Sequence, residues 1–305
     1  MSLQVKQLSK FYKKQKALDQ VSFEARPGQV LGFLGPNGAG KSTTMKIAAG
    51  YILPDQGDVL VDGISSVECP EQTSRLIGYL PEHNPLYLDM YVKEFLGFMA
   101  GLHHLKGKSA KDRIEEVLES CGLIPEQHKK IGALSKGYRQ RVGLAKALVH
   151  DPKVIILDEP TTGLDPNQLV EIRKLIKTIS KDKTLILSTH IMQEVEALCE
   201  KVVIIHQGKV VAQDLLVNLR GEKDKAVLVL ETDESLKEEW FIGLPGLDRM
   251  KLLGERQIQI STDVPGHLRK ALIELIHEKG LTLLNLNQVE KNLETIFHQL
   301  TESDI

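Results

Sequence analysis

Hydrophobic and polar positions change their period several times along the chain. Leu3, Val5 and Leu8 roughly alternate, and Ala17–Phe23 offers a second extended run. Pro27-Gly28 marks a turn, and Val30–Leu34 is a short apolar run ending at Gly35, as a buried strand would. Residues Ser42–Ala49 read as a helix stopped by Gly50. From Pro85 to His150 the chain lacks β-branched runs and reads as largely helical. Ile114, Val117 and Leu118 form one apolar helix face there, with an interruption at Gly132–Ser135 before Gly137–Val149. Val154–Leu157, Thr184–Ser188 and Lys201–Ile205 then read as strands. They alternate with helices at Gln168–Ser180 and Met192–Leu198. That alternation predicts a mainly parallel sheet in an α/β domain. The tail has another rhythm. Ala226–Glu231, Gln257–Ser261 and Leu281–Leu286 read as strands, His267–His277 and Asn292–Leu300 as helices, which predicts a small α+β appendage.

Composition narrows the class. The 305 residues are 42% hydrophobic and 26% charged, enough for a sizeable core and unlike a disordered chain. The net charge of −2 supplies no overall field for nucleic acid or an anionic membrane. The charge is uneven, however. Residues 221–305 carry 10 basic and 16 acidic side chains, while residues 1–220 carry 29 and 25. The shift, near Leu219-Arg220-Gly221-Glu222, suggests domains at 1–220 and 221–305. No apolar run approaches the ~20 residues of a spanning helix. The start, MSLQVKQLSKFYKK, has basic and polar residues where a signal peptide needs an apolar stretch. Cys69, Cys121 and Cys199 fit neither a disulfide framework nor a CxxC metal pattern, so a reducing cytoplasm is expected. His103-His104 has no carboxylate or cysteine at metal spacing and reads as a solvated helix end.

The strongest chemical signal is Gly35-Pro36-Asn37-Gly38-Ala39-Gly40-Lys41-Ser42-Thr43, which satisfies GxxxxGK[ST] between an apolar strand and a helix. Glycines let backbone N–H groups turn inward around phosphate oxygens, and the helix adds unpaired N–H groups and a positive dipole end. Lys41 suits terminal phosphates, and the Ser42 hydroxyl suits Mg²⁺. A second signal is Val154-Ile155-Ile156-Leu157-Asp158-Glu159-Pro160. An apolar strand delivers two carboxylates to its C-terminal end, where open α/β sheets bind ligands. Alone such a run is a solvated strand end. Behind a P-loop, Asp158 suits Mg²⁺ and Glu159 suits activation of an attacking water.

Two further elements specify the class: Leu134-Ser135-Lys136-Gly137-Tyr138-Arg139-Gln140-Arg141 before that strand, and Leu187-Ser188-Thr189-His190 after it. With these motifs, residues 1–220 resemble the ATP-binding subunits of ABC transporters. The resemblance implies a P-loop NTPase of ABC ATPase type. Its expected parts are a RecA-like core, an antiparallel β subdomain and a helical subdomain, with the small C-terminal α+β appendage beyond them. Gly35–Thr43 match the Walker A loop, and Asp158 and Glu159 match the Walker B aspartate and catalytic glutamate. Leu134-Ser135-Lys136-Gly137-Tyr138 stands at the signature usually written LSGGQ, with lysine for a glycine and tyrosine for the glutamine. Asp165 matches the D-loop, His190 the switch histidine, and Tyr12 the aromatic that stacks on adenine. The Q-loop glutamine is replaced by Glu82, which places another carboxylate beside the triphosphate and its metal. Glutamate here, with the flanking His83–Tyr91 segment, is similar to drug-efflux ATPases and to a subunit linked to gliding motility.

The resemblance implies further that ATP and Mg²⁺ are the cofactors. Two chains would form a head-to-tail homodimer that traps two nucleotides, each between a Walker A loop and the opposing Ser135–Gly137. A separate membrane permease is expected, and no nucleic acid. The chain would sit in the cytoplasm, peripheral on the inner face of the membrane. The Phe95, Phe98, Met99, Leu102 stripe reads as core, with part of it open to a partner helix. The competing reading is a soluble, non-transport ABC ATPase.

Overall fold

In a computed structural model of the chain, residues 2–220 and 226–289 are described, together with Leu293 and Phe297. The chain divides into two compact units, Met1–Leu216 and Val217–Ile305.

The first unit opens on β1 (Leu3–Tyr12) and β2 (Gln15–Ala25), then β3 (Val30–Leu34), α1 (Lys41–Ala48), β4 (Gln56–Val61), β5 (Ile64–Ser65), α2 (Pro70–Ser74) and β6 (Ile77–Leu80). Three helices follow, α3 (Val92–Leu102), α4 (Gly107–Ser120) and α5 (Lys136–Leu148). The unit continues through β7 (Val154–Asp158), α6 (Pro166–Ile179), β8 (Thr184–Thr189), α7 (Met192–Leu198), β9 (Lys201–His206) and β10 (Lys209–Leu215). Two sheets result. One is antiparallel, in the order β2-β1-β4-β5. The other runs β10-β9-β3-β8-β7-β6, parallel except for the β9–β10 pair.

The parallel strands are apolar without alternation because both faces are covered. On β7, Ile155 and Leu157 enter the core shared with α3, α4 and α5. Val154 and Ile156 enter the core shared with α1 and the antiparallel sheet. Each such side chain contributes roughly 1.5–3 kcal/mol by leaving water. The run that looks monotonous in sequence is therefore what lets one strand hold two layers together.

The stretch after Pro85 is helical as expected, in three pieces. A bridge between Tyr91 and Lys130, flanked by the Val92 N–H on the Lys129 carbonyl (3.1 Å) and the Ile131 N–H on the Met90 carbonyl (2.9 Å), ties the start of α3 to the segment before α5. Four elements of the first unit lay outside the sequence reading: β4, β5, α2 and the antiparallel edge β10. β6, read there only as the segment leading to Glu82, is a parallel strand. β6 is four residues long, and β4 carries Gly57 and Asp58, so neither stands out by period.

In the second unit, α8 (Leu216–Arg220) leads to β11 (Ala226–Thr232), β12 (Arg249–Gly254), β13 (Gln257–Thr262), α9 (Pro265–Glu278) and β14 (Leu283–Val289). The sheet order is β12-β13-β11-β14, with antiparallel pairs throughout. Leu228, Leu230, Ile258 and Ile260 alternate onto one face. They are covered by Leu268, Leu272 and Ile276 of α9, spaced one turn apart. Strand β12 was not read from sequence. The helix expected at Asn292–Leu300 lies outside the described residues, apart from Leu293 and Phe297, which are buried.

Candidate functional site

Parallel strands β3, β8 and β7 are neighbours, and each ends in a loop that carries chemistry. Past β3 the chain turns through 35–40 into α1. Gly40 precedes the helix at φ 107°, where a Cβ would lie 2.9 Å from the Ala17 carbonyl oxygen and closer still to Leu18. At Gly35 the obstacle is the Ile205 carbonyl oxygen, 2.5 Å from where a Cβ would stand. These glycines let the loop wrap tightly against β2 and β9 before it opens its N–H groups toward solvent. Pro36 and Ala39 build the turn, and the Ala39 N–H bonds the Pro36 carbonyl at 3.2 Å.

Lys41, the first residue of α1, is buried. Its Nζ donates to the carbonyls of Gly35 (2.8 Å) and Pro36 (3.2 Å) and lies 3.4 Å from Glu159 Oε1. Ser42 Oγ donates to Asp158 Oδ1 at 3.2 Å. Ser188 Oγ, its neighbour in register on β8, donates to the same oxygen at 2.8 Å. Asp158 Oδ2 is buried with no protein partner. Burial is the main cause that raises the Asp158 carboxyl above its ordinary range, against the two hydroxyls that lower it. A buried carboxylate oxygen left bare beside a hydroxyl is the donor set a hard cation takes. Across β6, the buried Tyr79 hydroxyl is also bare, and burial and the Asp158 charge push it upward.

Glu159 has φ 50°, a left-handed backbone that turns its carboxylate back into the site. Both its oxygens face His190 Nδ1, at 3.0 and 2.9 Å, and Thr162 Oγ1 donates to Oε2 at 3.4 Å. A carboxylate paired with a lysine on one side and an imidazole on the other is oriented, not free to swing. Sequence reasoning missed what fixes these loops. Glu194 on α7 is fully buried and accepts hydrogen bonds from Thr161 Oγ1 and from Thr189 Oγ1, the latter at 2.8 Å. It thereby ties the loop after Glu159 to the loop carrying His190. A lone glutamate in an amphipathic helix carried no signal for that role.

A cleft of about 790 Å³ spans this region. Tyr12, Asn37, Gly38, Gly40, Lys41, Ser42, Thr43, Glu82, Glu159 and His190 line it, with Lys16 and Gln207 that sequence reasoning did not single out. Tyr12 offers a half-exposed ring at its edge, with Lys10 Nζ 5.9 Å from the ring centre. The cleft is the size of a nucleotide site. The remaining site candidates lie elsewhere. Leu134 is buried in the core beneath α3–α5. Ser135 is the N-cap of α5, its Oγ accepting from the Tyr138 N–H at 3.4 Å. Lys136 is exposed, with its Nζ against Gly163, and Gly137 packs under the Gln168 side chain. Asp165 caps α6 by accepting from the Gln168 N–H at 2.9 Å. Gln140 Nε2 donates to the Pro160 carbonyl at 2.7 Å, joining α5 to the loop next to Glu159. None of residues 134–138 lines the cleft of its own chain.

Comparison with known proteins gives this arrangement a family. The ABC transporter family model matches residues 18–162, and an AAA-domain model matches residues 130–196. The bacitracin transport ATP-binding protein of Bacillus licheniformis is 33% identical, over 96% of this chain and 95% of its own length. The Nod factor export ATP-binding protein I of Burkholderia pseudomallei is 32% identical, over 97% and 95%. Among solved structures, a dimeric ATP-binding cassette in a post-hydrolysis state, bound to ADP and Pi, superposes with a TM-score of 0.64. It is 25% identical and covers 70% of this chain and 99% of its own. The likeness to a gliding-motility subunit finds no support among these relatives. The chain belongs to the ABC transporter ATP-binding proteins, and it is an ATPase that binds ATP and hydrolyses it to drive transport.

Proposed function

We propose that this chain is the motor of an exporter, acting as an ATP-driven homodimer beneath a separate membrane permease. The observation that carries the reading is the Lys41–Glu159–His190 constellation, held at the ends of three adjacent strands. The P-loop N–H groups and Lys41 bind the phosphates, and Tyr12 stacks on the base. Ser42, Asp158 and Glu82 would hold Mg²⁺, which would supply charge neutralisation to the phosphates. Glu159 takes a proton from the attacking water, and His190 holds it oriented while facing the γ-phosphate.

The signature completes the site in trans. Ser135 and Gly137 sit at the N-terminus of α5, away from their own cleft, so they serve a nucleotide on a second copy. Lys136 and Tyr138 take part from the same turn, and Asp165 relays across the interface. The dimeric cassette above supports this pairing. Among the described residues no helix is long and apolar enough to cross a membrane, which fits a motor docked on a permease at the cytoplasmic face. Export follows the direction printed for the Nod factor relative. Residues 221–305 act as an accessory domain.

The test is light scattering on the Glu159→Gln variant with MgATP. A nucleotide-dependent doubling of mass that ADP does not produce is expected. A monomer under all conditions, permease included, refutes the reading.

A further inference from the structure

Two of the residues that mark this sequence, Glu82 and Lys136, carry opposite charges and stand without a partner. Glu82 follows β6, is exposed, and lines the nucleotide cleft. The other carboxylate of that lining, Glu159, has Lys41 on one side and His190 on the other. Glu82 has no hydrogen bond or ion pair among the described residues. Its charge is nevertheless felt inside the site. Burial, and after it the charges of Glu159 and Glu82, raise the Asp158 carboxyl against the two hydroxyls that lower it.

Lys136 is the first residue of α5 and lies outside the cleft of its own chain. Its Nζ stands over Gly163, in the space that a Cβ there would need. The ammonium is thus laid across the loop that runs from Glu159 to Asp165. No group takes its protons there: Lys136 too has no hydrogen bond or ion pair among the described residues. A cation at a helix N-terminus opposes the dipole, so the isolated chain is less stable for having it. Both residues replace neutral ones, glutamate for the glutamine and lysine for the glycine that the resemblance leads one to expect. With nucleotide and metal counted alike, the first change makes the loaded cleft one charge more negative. The second makes the start of α5 one charge more positive.

Within one chain the two charges are not paired. In the homodimer proposed above, on which this inference rests, the start of α5 in one copy closes the cleft of the other. We propose that Lys136 of each copy offsets the charge of Glu82 in the cleft of its partner, so that the two departures work as one charge pair exchanged across the dimer. The pair exists only when the dimer is closed. It therefore adds nothing to the fold of the single chain and favours the nucleotide-bound state. It also makes self-pairing selective, since a cassette with neutral residues at both positions offers neither charge.

The experiment is a double-mutant cycle on the full chain in the Glu159→Gln background. Glu82→Gln, Lys136→Met (which keeps the stem and loses the charge) and the double variant are compared by sedimentation with saturating MgATP. Lys136→Met is expected to weaken the dimer about tenfold more with Glu82 present than in the Glu82→Gln background. That is roughly threefold for each of the two symmetric pairs, an ordinary size for an exposed pair. At ~1 M salt, where the screening length is about 3 Å, the difference is expected to vanish. Thermal melting of the nucleotide-free monomer is expected to show no coupling between the two substitutions. Equal losses in both backgrounds mean that Lys136 addresses the triphosphate alone, and no loss in either means that it is only solvated. Coupling in the melting of the monomer means that the charges meet within one chain. Each of these overturns the exchanged pair and leaves the homodimer standing, whereas a parent protein that stays monomeric overturns both.

Discussion

Two helix N-termini in this molecule follow glycine- and serine-bearing segments, and they are built in opposite ways. Helix α1 begins inside the cleft. Its N-cap is Gly40, whose φ is 107° and which has no side chain to cap with, so its first N–H groups stay open. Helix α5 begins on an exposed surface. Its N-cap, Ser135, turns its own oxygen back onto the Tyr138 N–H. Around α1 the charges are already engaged: Lys41 by two carbonyls and Glu159, Glu159 by His190, Asp158 by two hydroxyls. Around α5 the nearest charge is Lys136. No described carboxylate pairs with it, and it stands at the helix end where a cation opposes the dipole. A helix start is left open as a cradle in one place and is capped on an exposed edge in the other. A cradle and an edge on one chain make sense when two chains meet.

The sharpest way to break this contrast is at the cradle. Glu159→Gln keeps the shape and the hydrogen-bonding reach toward His190 but removes the base. Turnover is expected to fall about 10³-fold in a coupled ATPase assay, with ATP affinity retained. A variant within threefold of wild type would show that another group takes the proton. It would leave the oriented pair with His190 as architecture only.

Helix α5 has a second end, and its chemistry offers a control that leaves the cradle alone. The His150 pKa of about 4 lies below the ordinary 6.5 because burial and neighbouring cations disfavour its charged form. The unfolded chain binds more protons than the folded one between those values, so stability rises with pH across that window. It is complete above pH 6.5 and is lost as pH falls toward 4. His150→Gln is expected to remove up to about 2 kcal/mol of the stability difference between pH 7 and pH 5, read by urea denaturation at the two values. The half-buried His103 shifts the same way, so a residual slope belongs to it. An unchanged slope would place the acid sensitivity elsewhere.

How much of this could be read beforehand differs between the two helix starts. The P-loop announces itself because glycine spacing, a lysine and a strand–helix junction must all be local. Asp158 and Glu159 follow because a strand delivers both at once. The buried tie through Glu194 could not be read, since Thr161, Thr189 and Glu194 are brought together by tertiary packing and each is unremarkable alone. His103-His104 does close a helix, His103 being the C-cap of α3 and His104 exposed, but the half-burial of His103 was hidden for the same reason. The ring stacked on it, that of His150, lies 47 positions away, and the stack exists only because α3 and α5 end side by side. Strands β4 and β6 stayed hidden because their partners, not their own period, decide that they are strands. The edge strand β12 in the second unit is a similar case, pairing only with β13.

The Glu194 tie predicts a smaller effect than the base. Thr189→Val removes one hydroxyl donor from a fully buried carboxyl group and one acceptor from the Ile191 N–H. A loss of about 2 kcal/mol in stability is expected. A reduced turnover should accompany it, because the loops of Glu159 and His190 lose their common anchor. If stability falls while turnover and ATP affinity hold, the tie supports the fold without orienting the cradle.

The smallest expected effect on the fold is the most telling for the edge. Lys136→Glu places a carboxylate in the first turn of α5, where the dipole favours it. The isolated chain should gain a few tenths of a kcal/mol and melt slightly higher. In the proposed homodimer the same change should cost about tenfold in turnover, because a negative side chain would then face the triphosphate of the opposing copy. Raised salt should recover part of that loss by screening. Lys136→Gly, which restores the residue usual at this position, separates the missing cation from the added anion. Its turnover should lie between the lysine and glutamate proteins if the lysine charge helps, and level with lysine if it does not. Stability and activity moving in opposite directions at one exposed residue cannot come from a folding defect. If they instead move together, or neither moves, the start of α5 is only a capped helix end and the two N-termini have no common ligand.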